Sequence, residues 1–416
     1  MTTRASSIAP LPVAAFAGAT LACYGLLGLA ATTGGVWVWG ALLYVTVFVF
    51  ALDGLVAGAA DAADEGAEFP AARSLLKILG LLHFTSFILL IWAMRLASDL
   101  GGGAQVGLVI ATGLVMGQIA HPVAHELIHA RPAGLRALGR LIYASMLAGH
   151  HASAHLRLHH VHVGTRRDPN TPRPGEGFYR YALRASRDSF LGGLIEENRL
   201  HRGPLWRHPY AVCMAAGLVV PAGAWMVSGL PGLLSVLVVA LHAQIQILMS
   251  DYVQHYGLPR QCLPDGTLEP LGPHHAWNAP HAGSSALTLN ATRHSHHHME
   301  ARVPFPALRL DADRMPVMPH PLPVMAALAL SPTLWRRVMD PLSARWRHRD
   351  WHAMHTPVFP ATGQRNVSGQ AAQALAQADH DSFAPHRPAA RARTERGVPD
   401  ARSDHTGTGR DGRSRV

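Results

Sequence analysis

Six runs of about twenty mostly apolar residues occupy the first two thirds of this chain, and they limit its fold more than any other feature. They cover about Pro10–Thr32, Val36–Val56, Leu75–Leu96, Val106–Ile128, Tyr210–Val227 and Leu233–Val253. Each has the length an α-helix needs to cross a hydrocarbon core of about 30 Å. Only 15% of the 416 residues are charged and 49% are hydrophobic, against roughly 25% charged in a soluble domain. These runs predict an all-α integral membrane protein with six transmembrane helices. The first run lacks the charged start and short apolar segment of a signal peptide, and a second run follows it directly.

Short turns, "TTGG", "ASDLGGGA" and "SGLPG", join successive runs, and the polar stretch "DAADEGAEFPAARS" reads as a loop. Residues 130–208 are rich in arginine and read as one cytoplasmic segment. Within that segment, "LRALGRLIYASMLAG" is amphipathic enough to lie at the interface. If the fourth and sixth runs end on the cytoplasmic side, the N-terminus is inside, and Arg4 agrees. The same rule accounts for the net charge of +10. No nucleic-acid motif is present, so a nucleic-acid partner is not expected. Residues 1–358 read as one membrane domain. Residues 359–416, rich in Arg, Pro, Gly, Ser and Asp, cannot bury a core and read as a disordered cytoplasmic tail.

Histidine is the compositional anomaly, with 28 residues. The stretch "HPVAHELIHA" contains H-E-x-x-H, which on a helix turns two histidines to one face to hold zinc, with a glutamate as base. Three further clusters stand on the same side of the membrane. In "HLRLHH", His155 and His159 share an α-helical face and His160 is rotated toward a possible second metal. His255 ends the sixth run, in "DYVQHYGL". In "RHSHHH", His294, His297 and His298 have i, i+3, i+4 spacing. With His125 and His129 these make nine histidines at ligand spacing. That exceeds one tetrahedral zinc and suits two metals of higher coordination number, such as iron. Cys23, Cys213 and Cys262 form no CxxC pair and read as free thiols.

The order HELIH, HxxxHH, "YVQHYGL", "RHSxHH" resembles the AlkB-type membrane alkane monooxygenases, within the membrane desaturase and hydroxylase superfamily. "VGTRRDPNTPRPGEGFYR" and "GPHHAWNAP" are also similar to that family. The resemblance spans about residues 10–350. It implies a cytoplasmic centre of two non-haem irons held by His125, His129, His155, His159, His160, His255, His294, His297 and His298. It implies O2-dependent hydroxylation of the terminal methyl of an alkane or similar chain drawn from the lipid phase. Electrons would come from rubredoxin and rubredoxin reductase, since no flavin, haem or rubredoxin motif is encoded here. The expected location is the bacterial inner membrane. The sequence departs from the family pattern at Ala130, Ala154, Leu158 and His296 but loses no presumed ligand. Glu126, His121, Asp251 and His296 are candidates to hydrogen-bond and orient the ligands. His150, His151, His162, His274, His275 and His281 read as interfacial, hydrogen-bonded or ligand-supporting histidines. The competing readings are a desaturase or a hydroxylase of another hydrophobic substrate in the same superfamily, a membrane zinc protease built on HELIH, and a histidine-rich metal transporter.

Overall fold

The computed structural model describes residues 12–55, 69–95, 99–263 and 265–347. The expected tail at 359–416, Arg4 and most of the "DAADEGAEFPAARS" loop lie outside the described residues. Within them the protein is helical, with two isolated β-bridges, Cys262–Leu268 and Asn278–Val317, and no β-strand.

Among the described residues, five helices are long and apolar enough to cross a membrane: Val13–Thr33, Val36–Gly54, Pro70–Ala93, Gly102–His129 and Pro209–His255. Their outward faces carry exposed apolar side chains such as Val36, Trp39, Leu81, Ile88, Leu218 and Met226. Such a collar suits a lipid surrounding. Polar groups on these helices turn inward or back onto the chain. Thr20 donates to the Phe16 carbonyl and Thr112 to that of Leu108, as a lipid-facing backbone and hydroxyl require.

The 47-residue helix Pro209–His255 is twice the length of one crossing and is interrupted at Gly229, whose φ of 60° is non-helical. Pro231 follows two residues later, where its fixed φ suits the start of a new helix. Gly217, in the first limb, lies against the Ala144 carbonyl: an added Cβ would sit 3.0 Å from that oxygen. Gln244, in the second limb, donates to the neighbouring Met146 carbonyl at 3.0 Å. In one straight helix these two residues would be about 40 Å apart. The chain therefore doubles back at Gly229, matching the fifth and sixth apolar runs.

Above the spans, Phe178, Tyr181, Tyr252, Tyr256, Trp277 and Trp335 form an aromatic core. It joins helix Phe178–Leu200, the end of Pro209–His255 and helix Pro332–Arg347, and so caps the bundle where the histidines gather. Helix Ala133–Ser145 packs on the HELIH end of Gly102–His129 and buries Gly139, Ile142 and Tyr143, while Leu141 stays exposed. A Cβ on Gly139 would meet the Ala124 carbonyl oxygen at 2.9 Å and the Leu127 Cβ at 2.9 Å. Gly139→Val should therefore destabilise the protein by roughly 1–3 kcal/mol through overpacking. The check is a lower thermal midpoint of the detergent-solubilised protein, and an unchanged midpoint would contradict this contact.

Candidate metal centre

The nine histidines expected from the sequence come together in two groups. His125, His129, His155, His160 and His297 form one; His159, His255, His294 and His298 form the other. Two membrane helices supply His125, His129 and His255 from their ends. The turns above the membrane supply the rest.

The division of "HLRLHH" differs from the helical expectation. His155 and His160 share the first group, with Nε2 atoms 2.9 Å apart, and His159 joins the second. Local backbone geometry explains this. Residues His155–His159 form a π turn in which the His160 N–H bonds to the His155 carbonyl, five residues back. A π turn aligns i with i+5, and such turns recur at functional sites. Short helix His294–Met299 keeps α spacing, so His294 and His298 face the second group and His297 the first.

Within each group the ring nitrogens face one another. Nε2 separations are 3.2 Å for His129–His155, 3.2 Å for His160–His297, 2.9 Å for His255–His294 and 3.0 Å for His294–His298. A metal–imidazole bond of about 2.0–2.1 Å with neighbouring ligands at right angles separates their nitrogens by about 3 Å. The observed spacing is thus that of ligands sharing a cation. The Nε2 atoms of His125 and His159 are buried with no hydrogen-bond partner among the described residues, a cost that a bound cation removes. Burial first, then the charges of neighbouring imidazoles, push His155, His160, His294, His297 and His298 well below the usual histidine range. They are neutral at physiological pH, the form that ligates a metal. The residues therefore fit a metal centre.

Sequence reasoning missed one residue that the structure places directly behind a histidine. Asp168 is fully buried, and its Oδ2 accepts the His159 Nδ1 proton at 2.9 Å and the Thr171 hydroxyl at 2.6 Å. Its Oδ1 accepts the Asn170 N–H at 2.9 Å. Burial opposes the charge of Asp168, but His159 and these hydrogen bonds outweigh it and hold the carboxyl below its usual range. In return, burial lowers His159 while Asp168 raises it further, so the environment favours positive charge on that ring. With a cation bound, Nδ1 would keep the proton that Asp168 accepts and Nε2 would turn its lone pair into the second group. The only sequence signal was position: Asp168 lies in the quoted "VGTRRDPNTP" stretch.

The four predicted supporting residues find other partners. Glu126 accepts the backbone N–H of Phe305 at 3.2 Å rather than an imidazole proton. His121 Nδ1 pairs with the Tyr143 hydroxyl at 3.0 Å, one turn below His125. Asp251 accepts Asn170 Nδ2 at 2.7 Å, which links it by hydrogen bonds to Asp168 behind His159. His296 Nδ1 accepts the Arg309 N–H at 2.8 Å and stands outside both groups. On the outer side, His129 borders a hollow of about 370 Å³ lined also by Arg131, Arg136 and Arg302.

Comparison with known proteins agrees with this site. The fatty acid desaturase family model matches residues 103–327, from the start of the HELIH span past the last histidine cluster. The chain belongs to that family. An alkane 1-monooxygenase 2 of Pseudomonas aeruginosa is 31% identical over 318 residues, covering 73% of this chain and 84% of that protein. An alkane 1-monooxygenase 1 of the same organism is 33% identical over 260 residues, 61% of this chain and 68% of that protein. The hydroxylase component XylM of a Pseudomonas putida xylene/toluene monooxygenase is 29% identical over 252 residues, 59% of this chain and 65% of that protein. These relatives place the chain in the AlkB-type branch of the family, as an integral membrane protein with a histidine-rich metal centre.

Partners that orient metal-bound histidines typically contribute ten- to a hundred-fold to affinity. Asp168→Ala should therefore weaken metal binding at the group of His159 by about that factor, measured by chelator competition. Wild-type retention of both metals would remove Asp168 from this role.

Proposed function

We propose that the protein is a membrane di-iron monooxygenase that converts the terminal methyl of an alkane, or of a similar hydrophobic chain, to a primary alcohol. The observation that carries this reading is the convergence of nine imidazoles in two groups at the ends of membrane helices. The chain is a relative of proteins named alkane 1-monooxygenases, which supports the choice of substrate. The net reaction takes one methyl group, O2, two electrons and two protons to one alcohol and one water.

The first iron is assigned to His125, His129, His155, His160 and His297, and the second to His159, His255, His294 and His298. When bound, the irons supply the activation of dioxygen, because an unactivated C–H bond offers nothing to an acid, base or nucleophile. The chain's own residues do the rest. Asp168 holds the His159 ring in the ligating tautomer. The apolar spans exclude water and admit a lipid-dissolved substrate between helices. The substrate has no polar handle, so channel shape presents its methyl end first.

Six crossings, counting both limbs of Pro209–His255, put the histidines on one side of the bilayer. We assign that side to the cytoplasm of a bacterial inner membrane, where the arginine-rich segment belongs. Residues 1–358 then form the catalytic membrane domain, with 359–416 as a tail. Electrons come from a separate donor, rubredoxin with its reductase, since only three dispersed cysteines are encoded. The arginines beside His129 suit a small acidic protein. The likeness to XylM favours adding a methylarene to any substrate test.

Membranes given rubredoxin, its reductase, NAD(P)H and a mixed-length alkane panel under labelled dioxygen should yield primary alkanols carrying one labelled oxygen. Alkenes from acyl substrates, with no alkanol, would reassign the protein to desaturation. His159→Ala or His294→Ala should abolish product and bound iron while the protein still inserts in the membrane. Retained alkane-dependent turnover would remove these residues from the site.

A further inference from the structure

Among the described residues, one place besides the nine histidines gathers metal-ligating groups. Glu269, His274 and His275 bring a carboxylate and two imidazoles within 4.8 Å of one another. Glu269 Oε1 lies 2.8 Å from His274 Nε2, and Oε2 lies 3.2 Å from His275 Nε2. The three residues line a hollow of about 10 Å³ with Leu258, Gln261 and Trp346. That volume is close to what one water-sized species needs.

The backbone holds this group in place. Glu269 N–H donates to the Gln261 carbonyl at 2.8 Å, and the Gln261 N–H returns to Glu269 Oε2 at 3.1 Å. Arg260 Nε donates to the Glu269 carbonyl at 2.6 Å. His275 Nδ1 sits between two groups of Gly272, 2.9 Å from its N–H and 3.2 Å from its carbonyl oxygen. These two neighbours suit two tautomers. With Nδ1 accepting from Gly272 N–H, Nε2 carries a proton and donates to Glu269. With Nδ1 donating to the Gly272 carbonyl, Nε2 turns a bare lone pair toward the carboxylate, an arrangement stable only with a cation between them.

We propose that Glu269, His274 and His275 form a third metal site, for one divalent first-row cation of borderline softness, Zn2+ foremost. Two imidazoles and one carboxylate are a zinc ligand set, with the remaining position left for water. Glu269 and His274 are each 13% exposed in their side chains, which gives the cation an entry path. This set differs from the all-imidazole groups in carrying a negative charge and facing solvent. The site also bears on the main centre, because the His275 carbonyl accepts the His255 Nδ1 proton at 3.4 Å. A cation held here stiffens the strap behind one of its histidines.

The test is zinc counting on the intact, iron-loaded protein after equilibrium dialysis against buffered Zn2+, comparing wild type with Glu269→Gln and His274→Ala. Wild type should hold one zinc per chain, and both variants should bind it at least tenfold more weakly with their iron content unchanged. An anomalous-scattering peak at the zinc edge between Glu269 and His275 would agree. A wild type that takes up zinc only by displacing iron, or variants that retain zinc at wild-type affinity, would overturn the proposal and leave a hydrogen-bonded cluster. Because the readout is the zinc lost in these two variants, it stands apart from which metal the nine histidines hold.

Discussion

Nine imidazoles facing inward at the dry end of a helical bundle are the interaction on which the rest of the structure depends. Burial keeps rings such as His155, His294 and His297 from gaining protons, while His159 is held beside the Asp168 carboxylate. Burying polar atoms without partners is costly, and only a cation shared by several nitrogens repays all of them at once. Four separated segments must therefore end at one place. Membrane helices are suited to this, because lipid enforces their internal hydrogen bonds and makes them rigid rods. His129 and His255 are the last residues of two such rods.

Around the second group the protein builds a polar network from sequence-distant residues. Asp168 holds His159, the Asn170 backbone holds Asp168, and the Asn170 side chain ties Asp251 to Ser189. Tyr181 closes the network by donating to the Asn170 carbonyl. Each member is buried and has a named partner, so the network fixes one ring orientation rather than leaving several of similar energy. The aromatic cap of Tyr252, Tyr256, Trp277 and Trp335 then holds this layer against the end of the sixth run.

Much of this could be read before folding. The apolar runs predicted the long apolar helices, two of the runs falling on the limbs of Pro209–His255 that meet at Gly229, because lipid imposes a length that sequence displays directly. The nine histidines were legible because metal ligands cluster by type and spacing. Their partition was not: "HLRLHH" read as an α-helix gives the wrong pairing, and no propensity marks the π turn that moves His160 beside His155. Asp168 went unseen because its role comes from a loop folding back nine residues, and periodicity carries no record of loops. Glu126 was misassigned to an imidazole for the converse reason. Its motif suggested local chemistry, while its partner, Phe305, is far along the chain.

Iron quantitation with Mössbauer spectroscopy on the intact, 57Fe-enriched protein tests the central claim most directly. The account predicts two irons per chain in nitrogen-rich sites, both lost when His125 and His294 are replaced together. A single zinc bound at the HELIH histidines, with no iron in active protein, would contradict it.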